Sequence, residues 1–556
     1  PAPVPAESAL GVLGRAGAGD PVARELAALL TDTASVAAEL ITARRVPTPR
    51  VAPVPAVPEV LRVDVTTMPY LLDHCFFRQR PGWPDDRDRW PIVPATTVLT
   101  HLADLATTPG TVAVAVHDAR MMKWIEAIPA VDIPVRTRPV GPGRTEVTLG
   151  DRAAAVVETA VAYPAPPAPW RFDPAAERVP DLTAAQLYDE RWMFHGPRFQ
   201  GVLELTAIGE RHVRARLAAL PVPGALLDNV GQVLGYWIMA TLTERTTVFP
   251  VGLRCLRFFG PRPGQEETLE CLVRITEVTD STLTADMQLV HDGRVWADMT
   301  GWADRRFDTD PGIRKVDRYP GTFTLSSVQP GGWALIRERW PDLATRELIM
   351  RNVLGGAERE TYAALPPRHR RSWLLGRIAA KDAVRQVMWS EEDGEVYPAE
   401  LVIDNEASGR PVVRGVFGRM VGELTVSIAH RGGLGVAIAR RGPCGIDVEE
   451  VADRPRSAVE AACSAEELTV FDEVVERTGE TPAWWFTRFW AAKEAVAKAY
   501  GTGLSWHPER FRVVTAEPGE LTVQCGSSSY RVHLAHVPDQ SRDYVVAWTR
   551  EPEGDQ

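Results

Sequence analysis

The stretch Gly445-Ile446-Asp447-Val448-Glu449-Glu450 carries acidic residues two apart, and further on FWAAKEAVAKAYGTGL, at 489–504, brings another carboxylate together with lysines. On a strand the period of two puts Asp447 and Glu449 on one face, so their charges converge. On a helix the 3.6-residue repeat puts Trp490, Glu494 and Lys498 on one stripe. Two strand carboxylates facing a helix carboxylate form a hard, all-oxygen set suited to Mg²⁺, which takes carboxylates together with waters and substrate phosphates. The lysine on the same face is then placed to protonate a phosphate leaving group. Taken singly the features are bland: Glu-x-x-x-Lys on a helix is most often a surface ion pair, and GIDVEE reads equally as a polar strand edge.

A second pair of residue types lies earlier in the chain. PYLLDHCFF at 69–77 ends an apolar segment on His74, and ALLDNVGQ at 225–232 puts Asp228 on an expected helix with Gln232 one turn further on the same face. Alone, His74 reads as a satisfied core histidine and Asp228 as a helix cap.

The elements that must position these residues follow from pattern. The chain has 556 residues, 45% hydrophobic and 24% charged, which predicts three or four folded units of ordinary globular type. A net charge of −11 has the wrong overall sign for a nucleic-acid binder. Six scattered cysteines suggest neither a disulfide scaffold nor a thiolate metal site, which points to a reducing cytoplasm. Neither a membrane-spanning run nor a signal peptide is visible, so no membrane association is expected. The chain opens on Pro rather than Met, in Pro/Ala-rich sequence, which suggests a piece of a longer multidomain polypeptide. Residues 1–58 read as an interdomain linker with a short helix over about 21–45.

From 59 to 170 the signals are short alternating strands, such as GTVAVAV at 110–116 and VDIPVRT at 131–137. Residues 171–306 repeat that style around a helical segment at 225–242 and a hairpin turned by HDG at 291–293. Two such blocks, each one helix with several antiparallel strands, are what tandem hot-dog folds would give. A polar connector over 307–339 precedes a separate α+β domain at 340–556.

In combination and order, Gly445, Asp447, Glu449, Trp490, Lys493, Glu494, Ala495 and Lys498 resemble the signature of the phosphopantetheinyl transferase superfamily, G-x-D-x-E followed by W-x-x-K-E-A-x-x-K. LLGRIAAKDAV at 374–384, SGRP at 408–411 and SIAH at 427–430 look like the family's coenzyme A-binding segments. The resemblance implies transfer of 4′-phosphopantetheine from coenzyme A to a serine of an apo acyl carrier protein, with Asp447, Glu449 and Glu494 holding Mg²⁺. Glu494 would be the general base and Lys498 would orient or protonate the leaving phosphate, while Arg377, Lys381, Arg410 and protonated His430 would bind nucleotide phosphates. Ala491 and Ala429 stand where the family often has hydroxyl residues. The domain's length looks like the two-lobed, pseudo-symmetric surfactin-synthetase type. Carrier proteins are usually acidic, and the basic run Arg368, His369, Arg370 and Arg371 would receive one, or is simply a solvated helix end.

LLDH, WPIVPATTVL at 90–99 and HGPRFQGVLEL at 195–205 resemble dehydratase domains of polyketide and fatty-acid synthases, double hot-dog folds that match 59–306. The resemblance pairs His74 with Asp228 across a tunnel, with Gln232 beside them. A neutral imidazole then removes the α-proton of a 3-hydroxyacyl thioester, and a carboxylic acid kept protonated by burial donates to the departing hydroxyl. The family motif H-x-x-x-G-x-x-x-x-P is stretched here by RQRPGWPDDRDRWPIV at 78–93, so its glycine is not assigned to a residue, Gly82 being one candidate, and Pro223-Gly224 replaces the usual His-Pro. These departures leave open a product-template-like cyclase, or a non-catalytic scaffold that docks the carrier. Dehydratase followed by transferase looks like the C-terminal end of iterative type I polyketide synthases, particularly enediyne-type enzymes. Dehydratase domains of this kind often pair, so a homodimer through that domain is the expectation.

Overall fold

The computed structural model describes residues 58–265, 267–307, 311–340, 342–504, 507–539 and 542–549. The linker and helix expected over 1–58 lie, apart from residue 58, outside the described residues.

Residues 60–307 build one continuous antiparallel sheet of twelve strands: β1 (Val60–Val63), β2 (Val112–Met121), β3 (Val131–Gly141), β4 (Arg144–Leu149), β5 (Ala153–Ala160), β6 (Glu177–Arg178), β7 (Val202–Gly209), β8 (His212–Ala218), β9 (Thr247–Phe258), β10 (Thr268–Val278), β11 (Thr282–His291) and β12 (Arg294–Phe307). Their spatial order is β1-β3-β4-β5-β2-β9-β12-β11-β10-β8-β7-β6. The halves join where β2 pairs with β9, Val116 opposite Leu256. The first half packs on helix α1 (Ala95–Ala106) and the second on α3 (Ala225–Thr241), with the short α2 (Ala184–Asp189) between them in sequence. This is the double hot dog that the pattern suggested.

Strict alternation places Leu283, Ala285, Met287 and Leu289 of β11 in the core. Asp292 and Gly293 close β11 on β12 as a two-residue turn, both at positive φ, the twist a tight hairpin requires. The two central helices meet at their N-termini. Thr97 Oγ1 donates to the Pro223 carbonyl at 2.8 Å, and Gly224 sits at φ +79° where a Cβ would overlap the Thr97 backbone. The Pro-Gly pair is therefore set by this close approach.

The C-terminal part has two lobes. The first contains α6 (Gly356–Ala364), α7 (Pro367–Ser390) and a six-stranded sheet of β13 (Ser327–Val328), β14 (Trp333–Arg337), β15 (Leu401–Asn405), β16 (Pro411–Gly415), β17 (Thr425–Arg431) and β18 (Leu434–Arg440), ordered β13-β14-β18-β17-β16-β15. α4 (Pro311–Arg318) precedes it, and α5 (Leu343–Val353) follows β14. The stretch expected as a connector over 307–339 thus supplies a strand, because the apolar run Trp333–Ile336 is buried along β18. The second lobe contains α8 (Arg456–Ala462), α9 (Ala465–Thr478), α10 (Pro482–Tyr500) and a sheet of β19 (Ile446–Glu450), β20 (Phe511–Glu517), β21 (Glu520–Cys525), β22 (Ser528–Asp539) and β23 (Arg542–Thr549), ordered β19-β23-β22-β21-β20.

The lobes repeat one internal device. On α7, fully buried Lys381 bonds Glu358 of α6 and the carbonyls of Val353 (2.7 Å) and Pro398 (3.0 Å), and Glu358 accepts from the Ile403 amide at 3.1 Å. On α10, buried Lys493 bonds Glu467 of α9 and the carbonyls of Ala462 (2.7 Å) and Pro508 (3.2 Å), and Glu467 accepts from the Val513 amide at 2.9 Å. The sequence mark of this repeat is AAKDAV at 379–384 against AAKEAV at 491–496.

The inserted loop at 78–93 docks the dehydratase-like region onto the first lobe. Arg80 pairs with Glu400 at 2.6 Å, and Trp83 meets Phe417 edge-on with ring centroids 4.8 Å apart. Buried Asp88 accepts from Trp83 Nε1 (3.0 Å) and pairs with Arg359 (2.6 Å).

Gly445, just before β19, lies against α10, where a Cβ would overlap the Ala495 carbonyl oxygen. Gly445→Ala is expected to lower the stability of the second lobe by roughly 1–3 kcal/mol through overpacking. Urea unfolding checks this, and an unchanged midpoint would mean that strand and helix are further apart than described.

Candidate functional site

Strand β19 and helix α10 bring the expected carboxylates to the junction of the lobes. Asp447 is 6% exposed, and its Oδ1 accepts from Lys498 Nζ at 2.7 Å. Lys498 also donates to the carbonyls of Ile446 (3.1 Å) and Ile428 (3.3 Å), so its three N–H groups hold Asp447 and the strand ends in place.

Asp447 Oδ2 is buried with no hydrogen-bond partner. Burial, and next the charge of Asp447, raise both Glu449 and Glu494 above the usual carboxylate range, and Glu494 also feels Glu449. The three carboxylates therefore share one environment. A buried acceptor without a donor, beside two carboxyl groups destabilised by like charge, fits a divalent cation. The trio is more open than His74, His195 and Asp228, the set of three whose ligand atoms all lie within 4.8 Å of one another among the described residues.

The residues expected to bind nucleotide phosphates separate into two groups. Arg377, on α7, is 8% exposed, lies 4.6 Å over the Trp373 ring and has an Nε without a hydrogen-bond partner, so it is free to meet an anion. Arg410 follows the β15 strand and comes near Gly501 at the end of α10. His430, on β17, is lowered by burial and then by the neighbouring Lys498 charge, so it is neutral at pH 7 where a protonated imidazole was expected. Lys381 does not reach this junction, because its ammonium is committed to the buried pair with Glu358. In the basic run, Arg370 donates to the Leu365 and Ala363 carbonyls and Arg371 pairs with Glu338.

In the double hot dog, His74 follows a short 3-10 turn, Pro69–Asp73, and is buried. Its Nδ1 lies 2.8 Å from the Ile92 carbonyl. A carbonyl only accepts, so the proton sits on Nδ1 and Nε2 is left with a lone pair. Burial lowers the His74 pKa to about 4, which keeps the ring neutral.

Asp228 sits in the first turn of α3, and its Oδ2 lies 3.1 Å from His195 Nε2 and accepts from Gln232 Nε2 at 2.9 Å. Gln232 is held in turn by Tyr188, whose hydroxyl donates to its Oε1 at 2.8 Å. Burial acts to raise Asp228, but the His195 and His74 rings and the Gln232 bond prevail and leave it below the usual carboxylate range. The expectation that burial alone keeps Asp228 protonated is thus corrected by His195. That residue was given no role in the sequence reading, although it opens the stretch HGPRFQG, since nothing local to this loop announces a contact with a residue on α3. His195 stacks on Phe194 at 4.1 Å between centroids, and His74 lies 5.2 Å from it. Gly82 lies in the docking loop, beside Arg80. His74, His195, Asp228 and Gln232 open on a cavity of 610 Å³ lined mainly by Phe76, Trp90, Trp124, Phe249 and other apolar side chains.

Comparison with known proteins finds relatives of both regions. The model of the 4′-phosphopantetheinyl transferase superfamily matches residues 443–549, and that of the polyketide synthase dehydratase N-terminal domain matches residues 164–312. The 4′-phosphopantetheinyl transferase psf-1 of Bacillus pumilus is 26% identical over 155 residues, which is 28% of this chain and 60% of that protein. A holo-[acyl-carrier-protein] synthase of Exiguobacterium sibiricum is 34% identical over 106 residues, 19% of this chain and 80% of that one. Among solved structures, the dehydratase domain of a mycocerosic acid synthase-like polyketide synthase covers 47% of this chain and 98% of its own at 23% identity, with a TM-score of 0.35. The chain belongs to the 4′-phosphopantetheinyl transferase superfamily, and residues 164–312, ahead of that match, are similar to the polyketide synthase dehydratase N-terminal domain. No helix among the described residues is long and apolar enough to cross a membrane.

Replacing one partner of a buried ion pair leaves the other unpaired, at a cost of about 3–5 kcal/mol. Lys381→Met is therefore expected to destabilise the first lobe by that order in urea unfolding while leaving the KM for coenzyme A unchanged. A raised KM with unchanged stability would return Lys381 to the nucleotide.

Proposed function

We propose that this chain is a two-part enzyme of a polyketide synthase. The division is that of a double hot-dog 3-hydroxyacyl-carrier-protein dehydratase over 59–306 and a phosphopantetheinyl transferase over 340–556. The setting is an iterative type I synthase in the cytoplasm, its partners acyl carrier domains and a second copy through the dehydratase.

The transferase reading is carried by the orphaned Asp447 Oδ2, whose charge, after burial, raises the Glu449 and Glu494 carboxyls beside it. Asp447, Glu449 and Glu494 would hold Mg²⁺, which when bound supplies positive charge against the pyrophosphate of coenzyme A. Arg377, Arg410 and His430 bind the nucleotide end, and His430 becomes charged when a phosphate offsets Lys498. Glu494, with its raised pKa, takes the proton of the carrier serine, directly or through a water. The serine oxygen forms a bond to the pantetheine phosphorus, and the bond from that phosphorus to the departing 3′,5′-adenosine diphosphate breaks.

In the dehydratase, the acyl chain lies in the 610 Å³ cavity and His74 Nε2 removes the α-proton. The hydrogen-bonded Asp228–His195 pair, when it holds one proton beyond the ionised carboxylate and neutral ring, gives that proton to the 3-hydroxyl as its C–O bond breaks, so water leaves and a trans-enoyl thioester remains. Gln232 fixes the carboxylate.

One chain and two assays test the reading. Glu494→Gln, or a chelator, should abolish labelling of an apo carrier by fluorescent coenzyme A, and labelling that survives both contradicts the transferase site. His74→Ala should lower dehydration of a 3-hydroxyacyl thioester by at least ~100-fold, the ordinary worth of general-base catalysis. Because His74 stays neutral well below pH 6.5, wild-type kcat/KM should hold as pH falls from 7 and decline only toward about 4. Unchanged turnover in His74→Ala removes the catalytic assignment.

A further inference from the structure

Helix α5 belongs by packing to the transferase, yet it shows two faces. Ile349, Met350 and Val353 are buried in the core of the first lobe, and Asn352 donates to Asp317 at 2.7 Å. Ala344, Glu347, Leu348 and Arg351, spaced i, i+3, i+4 and i+7, form one stripe. All four line the cavity that also holds His74, His195 and Asp228.

The contact is anchored on both sides. Arg351 pairs with Glu126 at 3.2 Å and lies 4.3 Å over the Trp90 ring, and both partners belong to the dehydratase and line the same cavity. A second ion pair, Arg351 with Glu347 at 3.0 Å, fixes the guanidinium along its own helix. Leu348 and Phe76 pack on one apolar cluster of Phe77, Trp90 and Ile92. Phe76 stacks on Phe194 at 4.5 Å, and Phe194 stacks on His195 at 4.1 Å. An unbroken run of packed rings therefore joins the wall that α5 contributes to the reacting residues.

We propose that the transferase domain supplies a wall of the dehydratase cavity, and that Leu348 on this wall sets the length of acyl chain the dehydratase accepts. The inference rests on the dehydratase reading and adds to it a specificity residue from the other enzyme. Leu348 is the larger apolar member of the stripe, and Phe249 and Phe307 line the same cavity. Filling or emptying its volume changes the space left for a hydrocarbon chain, and a hydrophobic pocket discriminates by ~10-fold or more per methylene.

The test uses the full chain and two variants, Leu348→Trp and Leu348→Ala, with 3-hydroxybutyryl and 3-hydroxydodecanoyl pantetheine thioesters as substrates. Leu348→Trp should lower kcat/KM for the dodecanoyl substrate by ~10-fold or more relative to the butyryl one, and Leu348→Ala should shift the ratio the other way. Carrier labelling should be unchanged in both, which reports an intact transferase fold. A substrate ratio equal to wild type in both variants would overturn the inference while leaving the dehydratase standing. If wild type turned over neither thioester, the dehydratase reading itself would fall and the inference with it.

Discussion

Like charges held close together in a poorly hydrated place repel, and the architecture of the C-terminal half serves to hold three carboxylates against that repulsion. Strand β19 approaches α10 closely because Gly445 has no side chain and because Ala491, Ala492, Ala495 and Ala499 present small faces on the helix. Lys498 ties one oxygen of Asp447 and leaves the other without a partner. The resulting site is electrostatically unsatisfied by the protein alone, which is the condition under which a divalent cation and a diphosphate bind well. The first lobe shows the same position used differently. Asp382, next to Lys381 as Glu494 is next to Lys493, pairs with Arg385 at 3.1 Å and accepts from the Ser326 amide at 2.9 Å. Two lobes of one plan thus carry one carboxylate paired within the protein, Asp382, and one raised by burial and like charge, Glu494.

The double hot dog and the first lobe are joined through residues that each takes from the other. The docking loop at 78–93, inserted into the segment that carries His74, reaches Glu400, Phe417 and Arg359 of the first lobe. Helix α5 returns the contact by closing one side of the dehydratase cavity. An insertion that stretches a catalytic motif is in this fold a joint, and the buried carboxylate of Asp88 between Trp83 and Arg359 gives that joint a specific register.

Much of this was legible before any coordinates. The pairs Asp447/Glu449 and Glu494/Lys498 could be read because period-two and period-four spacing fix which side chains share a face, whatever the tertiary contacts. The strand alternation in β11 and its Asp-Gly turn were readable for the same local reason. What sequence left obscure depends on contacts between distant residues. Lys381 lies in a segment that resembles a nucleotide-binding one, and only its burial against Glu358 shows it to be structural. His195 was visible in its motif but without a role, because its partner Asp228 arrives from the distant helix α3, where the His195 ring offsets the effect of burial on the carboxyl. The strand β14 hid in a stretch that looked like a polar connector, since its pairing is with β18, about a hundred residues away.

The most direct test of the central claim is the binding of Mn²⁺ to the full chain, followed by electron paramagnetic resonance in the absence of coenzyme A. Binding at the lobe junction should be displaced by Mg²⁺, should disappear in both Asp447→Asn and Glu494→Gln, and should persist in His74→Ala. Mn²⁺ held equally well by both carboxylate variants would contradict the account.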